Sequence, residues 1–302
     1  MISTLPYQLT ENLFVLGHNL FLTYLVKGNP CTLIDLGTSG TVPLIKRQLD
    51  EIGVEPGDIG NLVVLHAHWD HACGLPYFKQ LFPQAKVLGS AKARDVLGKA
   101  KIVSQFRQHD ELYCSQLLEK GVLKELPAFI QYETMPVDQV VMDGETLSLG
   151  GIEARFLATP GHSPCSFSVY LPSEKAAIIS DAVGGYSPQR DEFLPIFYQS
   201  VKLTLDSLEK LKNLDTDILG SGHDMDMVCM GKVNIINYYK RVKGEIENLV
   251  TEIRQMSASG ASEEQLVDRL FQASYRGFLA EIYPPDFIKS VSPFLLKGIH
   301  AS

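Results

Sequence analysis

Residues 63–74 read VVLHAHWDHACG, and within six of those positions stand His66, His68, Asp70 and His71. Imidazole and carboxylate are ligands that suit zinc, iron or manganese. A single tetrahedral ion at a catalytic centre needs three protein ligands and keeps its fourth position for water. Two ions therefore account for the crowding better than one. The preceding segment, NLVVLHAH, reads as a short buried strand. Within a strand His66 and His68 would point to one side, because side chains alternate with period two. A turn after it would bring Asp70 and His71 into the same space from another direction.

Two ions need further ligands, and three stretches downstream carry them in similar settings. FLATPGHSP places His162 in a Pro/Gly turn after a strand, AAIISDAVGG places Asp181 just past an apolar strand, and DILGSGHD places His223 after another. Each is a metal-type ligand at a strand's exit, followed by small or turn-forming residues, and α/β arrangements place their chemistry at strand ends in this way. Of the eight histidines, His18, His109 and His300 lack such a context and read as ordinary surface or core residues.

The elements that must position these donors are legible in outline. Residues 12–36 read as a β-meander with a tight turn at Lys27–Pro30. Apolar residues at helical spacing predict a helix from Thr41 to Ile52, and Leu75–Phe82 and Ala91–Leu123 read as helical. Short strands follow at AKVLGS, DQVVMDGETLSLGG, IEARFLA, SFSVYLP and AAIIS, with MDGE as a hairpin turn. SVKLTLDSLEKLKNL is an amphipathic helix whose stripe is Val201, Leu205, Leu208 and Leu211. From Lys232 onward the chain turns helical, and YPPDF must break any helix at Tyr283. This pattern predicts an α/β sandwich with helices outside two sheets, over residues 1–230, and a helical C-terminal extension over 231–302.

Composition bounds the partners. The 302 residues are 45% hydrophobic and 21% charged, enough for a sizeable core. A net charge of -8 supplies no basic surface for nucleic acid or an anionic membrane. The start, MISTLPYQLTENLF, lacks the pattern of a signal peptide, and no apolar run approaches the ~20 residues of a membrane span. The five cysteines (31, 73, 114, 165 and 229) are scattered, odd in number and never form a CxxC pair. A reducing cytoplasm is the simplest expectation, with Cys73 and Cys165 as small buried packers.

The series His66, His68, Asp70, His71, His162, Asp181 and His223 resembles the dinuclear metallo-β-lactamase-fold hydrolase superfamily. The likeness runs from Tyr7 to Met230 and includes LIDLG, TPGHSP, SDAVGG and GSGH. It implies an αββα sandwich. It implies also that His66, His68 and His162 hold a first metal, that Asp70, His71 and His223 hold a second, and that Asp181 bridges them. Asp35, in LIDLG, would orient a ligand histidine. HWDHACGLPYF, LTLDSLEKLKNL and the long helical tail are similar to a thioesterase-like subgroup of the quinolone signal response type. Asp181 and the missing signal peptide separate the chain from true β-lactamases of this fold; there is no room for the flavodoxin domain of flavodiiron proteins, and the tRNA-processing branch would carry more basic surface.

The expected chemistry is hydrolysis of a thioester, acyl-CoA-like, by a hydroxide shared between two divalent metals, with zinc, iron and manganese all suitable. Asp70 and Asp181 would be the catalytic carboxylates. Hydrolysis of a lactone, or of a glutathione thioester as in glyoxalase II, is the nearest alternative. Glutathione would recruit basic residues of the tail, among them Arg241, Lys243, Arg254, Arg269, Arg276, Lys289 and Lys297. A mononuclear iron dioxygenase would need fewer ligands, and a metal-bound regulatory protein would use the helical surface for a partner. The tail aromatics (Tyr238, Tyr239, Phe271, Tyr275, Phe278, Tyr283, Phe287 and Phe294) are expected to pack on the sandwich, some of them roofing the cleft; Tyr186 and Phe193 could reach it as well. The tail is also available for a homodimer contact.

Overall fold

A computed structural model of the chain describes residues 5–301, apart from the side chains of Phe278 and Ile282. Two sheets face each other. The first holds seven strands in chain order: β1 (Tyr7–Gln8), β2 (Leu13–His18), β3 (Phe21–Val26), β4 (Cys31–Ile34), β5 (Ile59–Val64), β6 (Lys86–Ser90) and β7 (Gln139–Val141). The β1–β4 pairings are antiparallel, and β4 to β7 run parallel. The second sheet is built from β8 (Thr146–Leu149), β9 (Ile152–Ala158), β10 (Phe167–Leu171), β11 (Ala176–Ser180), β14 (Ile218–Ser221) and β15 (Cys229–Met230), with β11 and β14 its one parallel pair. A small ribbon, β12 (Gly185–Ser187) with β13 (Glu192–Leu194), stands apart.

The central strands are covered on both faces, which is why β3, β4, β11 and β14 are buried along their whole length, whereas β8 and β9 at the edge of the second sheet alternate with exposed residues. In β2, Leu13 and Val15 join the core between the sheets, while Phe14 and Leu16 join the core beneath the outer helices. In β11, Ala176 and Ile178 face the inter-sheet core, and Ala177 and Ile179 face the other helix layer. The helices α1 (Val42–Glu51), α3 (Leu75–Leu81) and α5 (Ala100–Glu119) cover the first sheet through Ile45, Leu49, Phe78, Val103 and Leu117. The helices α6 (Val201–Lys212) and α7 (Lys232–Ala258) cover the second through Leu208, Leu211, Tyr239, Val242 and Ile246. The architecture is therefore the expected αββα sandwich with a helical C-terminal region.

That region continues as α8 (Glu263–Ser274), α9 (Gly277–Ile282) and α10 (Pro285–His300). Pro285 opens α10 at a position where a missing N–H costs nothing, and Tyr283 stays extended before the Pro pair, at φ -101° and ψ 145°. The start of α10 packs into the first layer through Ile288, and its end packs into the second through Leu295, Leu296 and Ile299. It thus straddles the sandwich where the strands end.

Two local expectations fail. MDGE is not a hairpin turn: β7 and β8 belong to different sheets, so the segment is a crossover between them. Gly144 does take positive φ, 79°, but a turn residue cannot tell whether the chain returns to its own sheet. The strand β5 ends at Val64, so His66 and His68 lie on a loop beyond it. Their convergence does not come from strand alternation. It comes from the bend at Leu65–His66, followed at once by the four-residue helix α2 (Trp69–Ala72), which carries Asp70 and His71.

Candidate metal centre

The donor residues sit at neighbouring strand exits of the two sheets. Asp35 follows β4, the His66–His71 segment follows β5, His162 follows β9, Asp181 follows β11 and His223 follows β14. Because β4 and β5 are parallel, as are β11 and β14, their exits fall at the same edge. The backbone is forced locally at three non-glycine residues there: Asp35, Ser180 and Asp224 have φ of 64°, 48° and 44°. Such conformations cost free energy and persist where surrounding structure holds them for function. Gly222 is required by proximity: a Cβ there would lie 2.8 Å from His71 Cε1, 2.8 Å from Ser180 Oγ and 3.0 Å from Asp181 Oδ1.

All seven expected ligand residues come together. Three sets of donor atoms each lie within 4.8 Å of one another: His66, His68 and His162; His66, His71 and Asp181; Asp70, His71 and His223. Asp181 Oδ2 stands between them, 3.6 Å from His162 Nε2, 3.4 Å from His71 Nε2 and 3.5 Å from His223 Nε2. His66 Nε2 is 3.9 Å from the same oxygen and is buried without a hydrogen-bond partner among the described residues.

The outer hydrogen bonds fix which nitrogen each ring presents. His162 Nδ1 donates to the Ile196 carbonyl (2.7 Å), His223 Nδ1 to the Leu20 carbonyl (2.9 Å), and His71 Nδ1 to Asp35 Oδ1 (2.8 Å). Each therefore turns Nε2 inward. His71 Nε2 and His223 Nε2 are 3.1 Å apart, and His162 Nε2 is 2.9 Å from His68 Nδ1. With both protons committed at Nδ1, the His71–His223 contact sets two lone pairs against each other unless a cation lies between or one ring is charged. Together with the orphaned His66 nitrogen, this donor chemistry fits metal ions. Ser180 completes the shell by donating to Asp35 Oδ2 at 2.6 Å.

The electrostatics divide the two donor sets. Burial, and then the neighbouring rings, hold His66 well below its ordinary value; His68 is pushed down to about 3 by burial and by His162. Burial lowers His162 as well, although Asp181 opposes it. These rings are thus neutral, the form that ligates a metal. Burial pulls His71 and His223 down, but Asp35, Asp181 and Asp70 outweigh it at His71 and Asp181 outweighs it at His223, so both are raised and, with no cation bound, these rings carry the positive charge that the carboxylates attract. Burial would raise Asp181, yet His223 and His71 hold it well below the carboxylate range.

Over the centre lies a cavity of about 440 Å³. One wall is Leu194, Ile196 and Tyr198; the opposite wall is Leu279, Tyr283, Phe287, Ile288, Val291 and Phe294 from the C-terminal helices. Among the described residues no lysine or arginine lines it, so none of the basic tail residues reaches the cleft. Four of them are paired elsewhere: Arg241 with Asp191, Lys243 with Glu209, Arg269 with Glu252, and Lys289 with Asp268. Tyr186 and Phe193 do not line the cavity either. The β12–β13 ribbon turns Tyr186 into a separate groove beside Arg241, and Phe193 packs in the second core. Tyr238 and Tyr239 are core residues, and Phe271 and Tyr275 pack partly buried against the first layer. The side chain of Phe278 lies outside the described residues. Tyr198, whose ring centroid is 5.4 Å from that of His162, and Tyr283, which hydrogen-bonds Asp70, were not distinguishable as site residues in the sequence. Tyr283, Phe287 and Phe294 are the members of the tail's aromatic set that roof the cleft, and nothing in the sequence marked Tyr283 as the one that reaches a donor. All five cysteines are free and buried, Cys73 and Cys165 included.

Among curated proteins, the chain is 25% identical over 198 residues to an atrochrysone carboxyl ACP thioesterase of Aspergillus fumigatus, covering 66% of this chain and 46% of that one. It thus spans under half of that relative's length. It is 26% identical over 202 residues to a probable metallo-hydrolase of Methanocaldococcus jannaschii, covering 67% of this chain and 86% of that one. Among solved structures, a metallo-beta-lactamase family protein of Thermus thermophilus superposes with a TM-score of 0.67 at 18% identity, over 97% of this chain and 94% of that one, a likeness of fold. No helix among the described residues is long and apolar enough to cross a membrane. The family model of the metallo-beta-lactamase superfamily matches residues 22–223, the span from β3 to the last of the seven donors, and the chain belongs to that superfamily.

Proposed function

We propose that the protein is a dinuclear metal-dependent hydrolase that cleaves a thioester bearing an apolar acyl group. His66, His68 and His162 would hold one ion, and Asp70, His71 and His223 the other, with Asp181 shared between them. When bound, two divalent ions supply Lewis acidity and an activated water for attack on an ester-type carbonyl. Asp181, held well below the carboxylate range with His223 and His71 as the main cause against burial, stays an anion between the two donor sets. Asp35, Ile196 and Leu20 keep His71, His162 and His223 turned inward. Residues 1–230 would form the catalytic unit, and 231–302 the extension that caps its cleft.

One observation carries the choice of substrate: the apolar cavity opens directly on the donor cluster and has no cationic side chain among the described residues of its wall. Pocket walls of this kind bury apolar groups and use few polar ones for orientation. The helices contribute Leu279, Phe287, Ile288 and Val291, which suit an acyl chain or ring. Glutathione carries two carboxylates within a few bonds of its sulfur, and their burial here would meet no counter-charge, whereas the phosphates of coenzyme A sit beyond an uncharged pantetheine arm and stay outside a cavity that holds the thioester. The A. fumigatus thioesterase named above supports the thioester reading. A lactone with an apolar tail is the second reading, favoured by the same wall.

The test is elemental analysis of the purified full-length protein, together with hydrolysis of acyl-CoA, S-acylglutathione and acyl-homoserine lactone substrates. Two metals per chain with turnover of acyl-CoA and little of S-acylglutathione is the expected result. Preferred turnover of S-acylglutathione would refute the substrate assignment, and one ion per chain would refute the dinuclear centre.

A further inference from the structure

In the second donor set, the C-terminal extension reaches Asp70 directly through a hydrogen bond between side chains. The Tyr283 hydroxyl donates to Asp70 Oδ2 across 213 residues of sequence. The same oxygen is 3.7 Å from His71 Nε2 and 3.8 Å from His223 Nε2. The phenol is buried and its ring has little freedom: it stacks on Tyr113 at 5.4 Å and on Phe287 at 5.0 Å, and meets the edge of Trp69 at 6.1 Å. Asp70 itself is buried and rides on a helix of only four residues.

A second tie reaches the other end of the same donor set. Glu281, two residues before Tyr283, accepts two hydrogen bonds from the Arg190 guanidinium, at 3.0 and 3.4 Å. Arg190 Nη2 is also 3.7 Å from Asp224 Oδ2, on the residue that follows His223. Asp224 is buried and strained at positive φ. The end of α9 and the residue after it are therefore linked to both segments that carry the second set: to Asp70 directly through Tyr283, and to His223 through Glu281, Arg190 and Asp224. In the first set, His162 is anchored within the sandwich region instead, through Ile196.

We infer that Tyr283 is a positioning residue that fixes the Asp70 carboxylate, so that the C-terminal extension governs occupancy of the second metal site but not of the first. The inference rests on the dinuclear reading proposed above. A carboxylate accepts at several lone-pair positions, and a donor that claims one of them orients the remainder toward the ion. Outer partners of this kind change metal affinity by about 10- to 100-fold when removed. The consequence is a second site whose affinity is set in part by the contact that the end of α9 makes with Asp70.

Full-length wild-type protein and Tyr283→Phe are dialysed to equilibrium in buffers of fixed free Zn2+, without substrate, and bound zinc per chain is measured. Phenylalanine keeps the stacked ring and removes only the hydroxyl. The wild type should fill in two steps. The variant should keep the first midpoint and shift the second to about 10- to 100-fold higher free zinc. A shift of both steps together, of neither, or a wild type that fills in one step overturns the inference. Turnover by the loaded wild type separates this from the hydrolase reading: a shifted second step without any turnover sinks that reading alone, and turnover with unshifted steps sinks this inference alone.

Discussion

Asp35→Asn isolates one electrostatic contribution to the centre. Asp35 is fully buried, accepts from His71 Nδ1 at 2.8 Å and from Ser180 Oγ at 2.6 Å, and has a φ of 64°. Asparagine tolerates the left-handed region as aspartate does, so the backbone gains no new strain. One amide oxygen can still accept from His71. The other position becomes an NH2 that faces the Ser180 hydroxyl, which must then rotate to accept and re-aim its proton, with His66 Nδ1 3.4 Å away. Hydrogen bonds to a charged group contribute about 1.5–3 kcal/mol and neutral ones about 1 kcal/mol. The loss at His71 is thus about 1–2 kcal/mol, or about 5- to 30-fold in affinity for the ion that His71 would hold. Equilibrium zinc binding would read it, with thermal unfolding of the metal-free protein as the control for folding. Wild-type affinity in Asp35→Asn would refute the argument that this carboxylate tunes the ligand histidine.

Further outcomes follow from other parts of the molecule. His68→Ala and Asp181→Asn should each abolish hydrolysis while circular dichroism stays native; full activity in either, in metal-free buffer, would end the dinuclear mechanism. Gly222→Ala drives a Cβ against His71, Ser180 and Asp181, and overpacking of this kind costs about 1–3 kcal/mol. It should lower both metal content and turnover, and unchanged values of both would show that the loop can yield. Asp110 is buried, with Oδ2 unpartnered among the described residues; burial pushes it up to about 7, against hydrogen bonds from Ser39 and Cys114. Between about pH 4 and 7 the folded chain holds a proton that the unfolded chain has released, so stability falls as pH rises through that window and the loss is complete above it. The span from 3.8 to about 7 corresponds to about 4 kcal/mol. Asp110→Asn should flatten this dependence and raise the melting temperature at pH 8; a pH profile parallel to that of the wild type would count against the assignment.

Much of the centre could be read from one dimension because its signals are local. Each donor follows an apolar run that needs burial on both faces, and each is followed by small or turn-forming residues, so strand exits were marked without knowledge of the pairing. The helix break at Tyr283–Pro285 and the stripe of α6 are likewise written in propensity and spacing, whereas the stretch read as one helix over Ala91–Leu123 is divided at Gly98 into α4 (Ala91–Leu97) and α5. What neighbours do not encode was decided by packing. MDGE looks the same whether the chain doubles back or crosses to a second sheet, and the choice between them rests on which sheet buries β8. The tail supplied many aromatics of similar type. Only the docking of α10 across both helix layers turned Tyr283, Phe287 and Phe294 into the cleft and left Tyr238 and Tyr239 in the core. The basic residues of the tail were available by sequence to meet an anionic substrate, but the described cavity wall contains none of them. Composition and order determined which chemistry the chain can do; the meeting of residues as far apart as Asp70 and Tyr283 belongs to the tertiary structure, because a side chain's partners across two hundred residues are chosen by how whole layers bury their apolar faces.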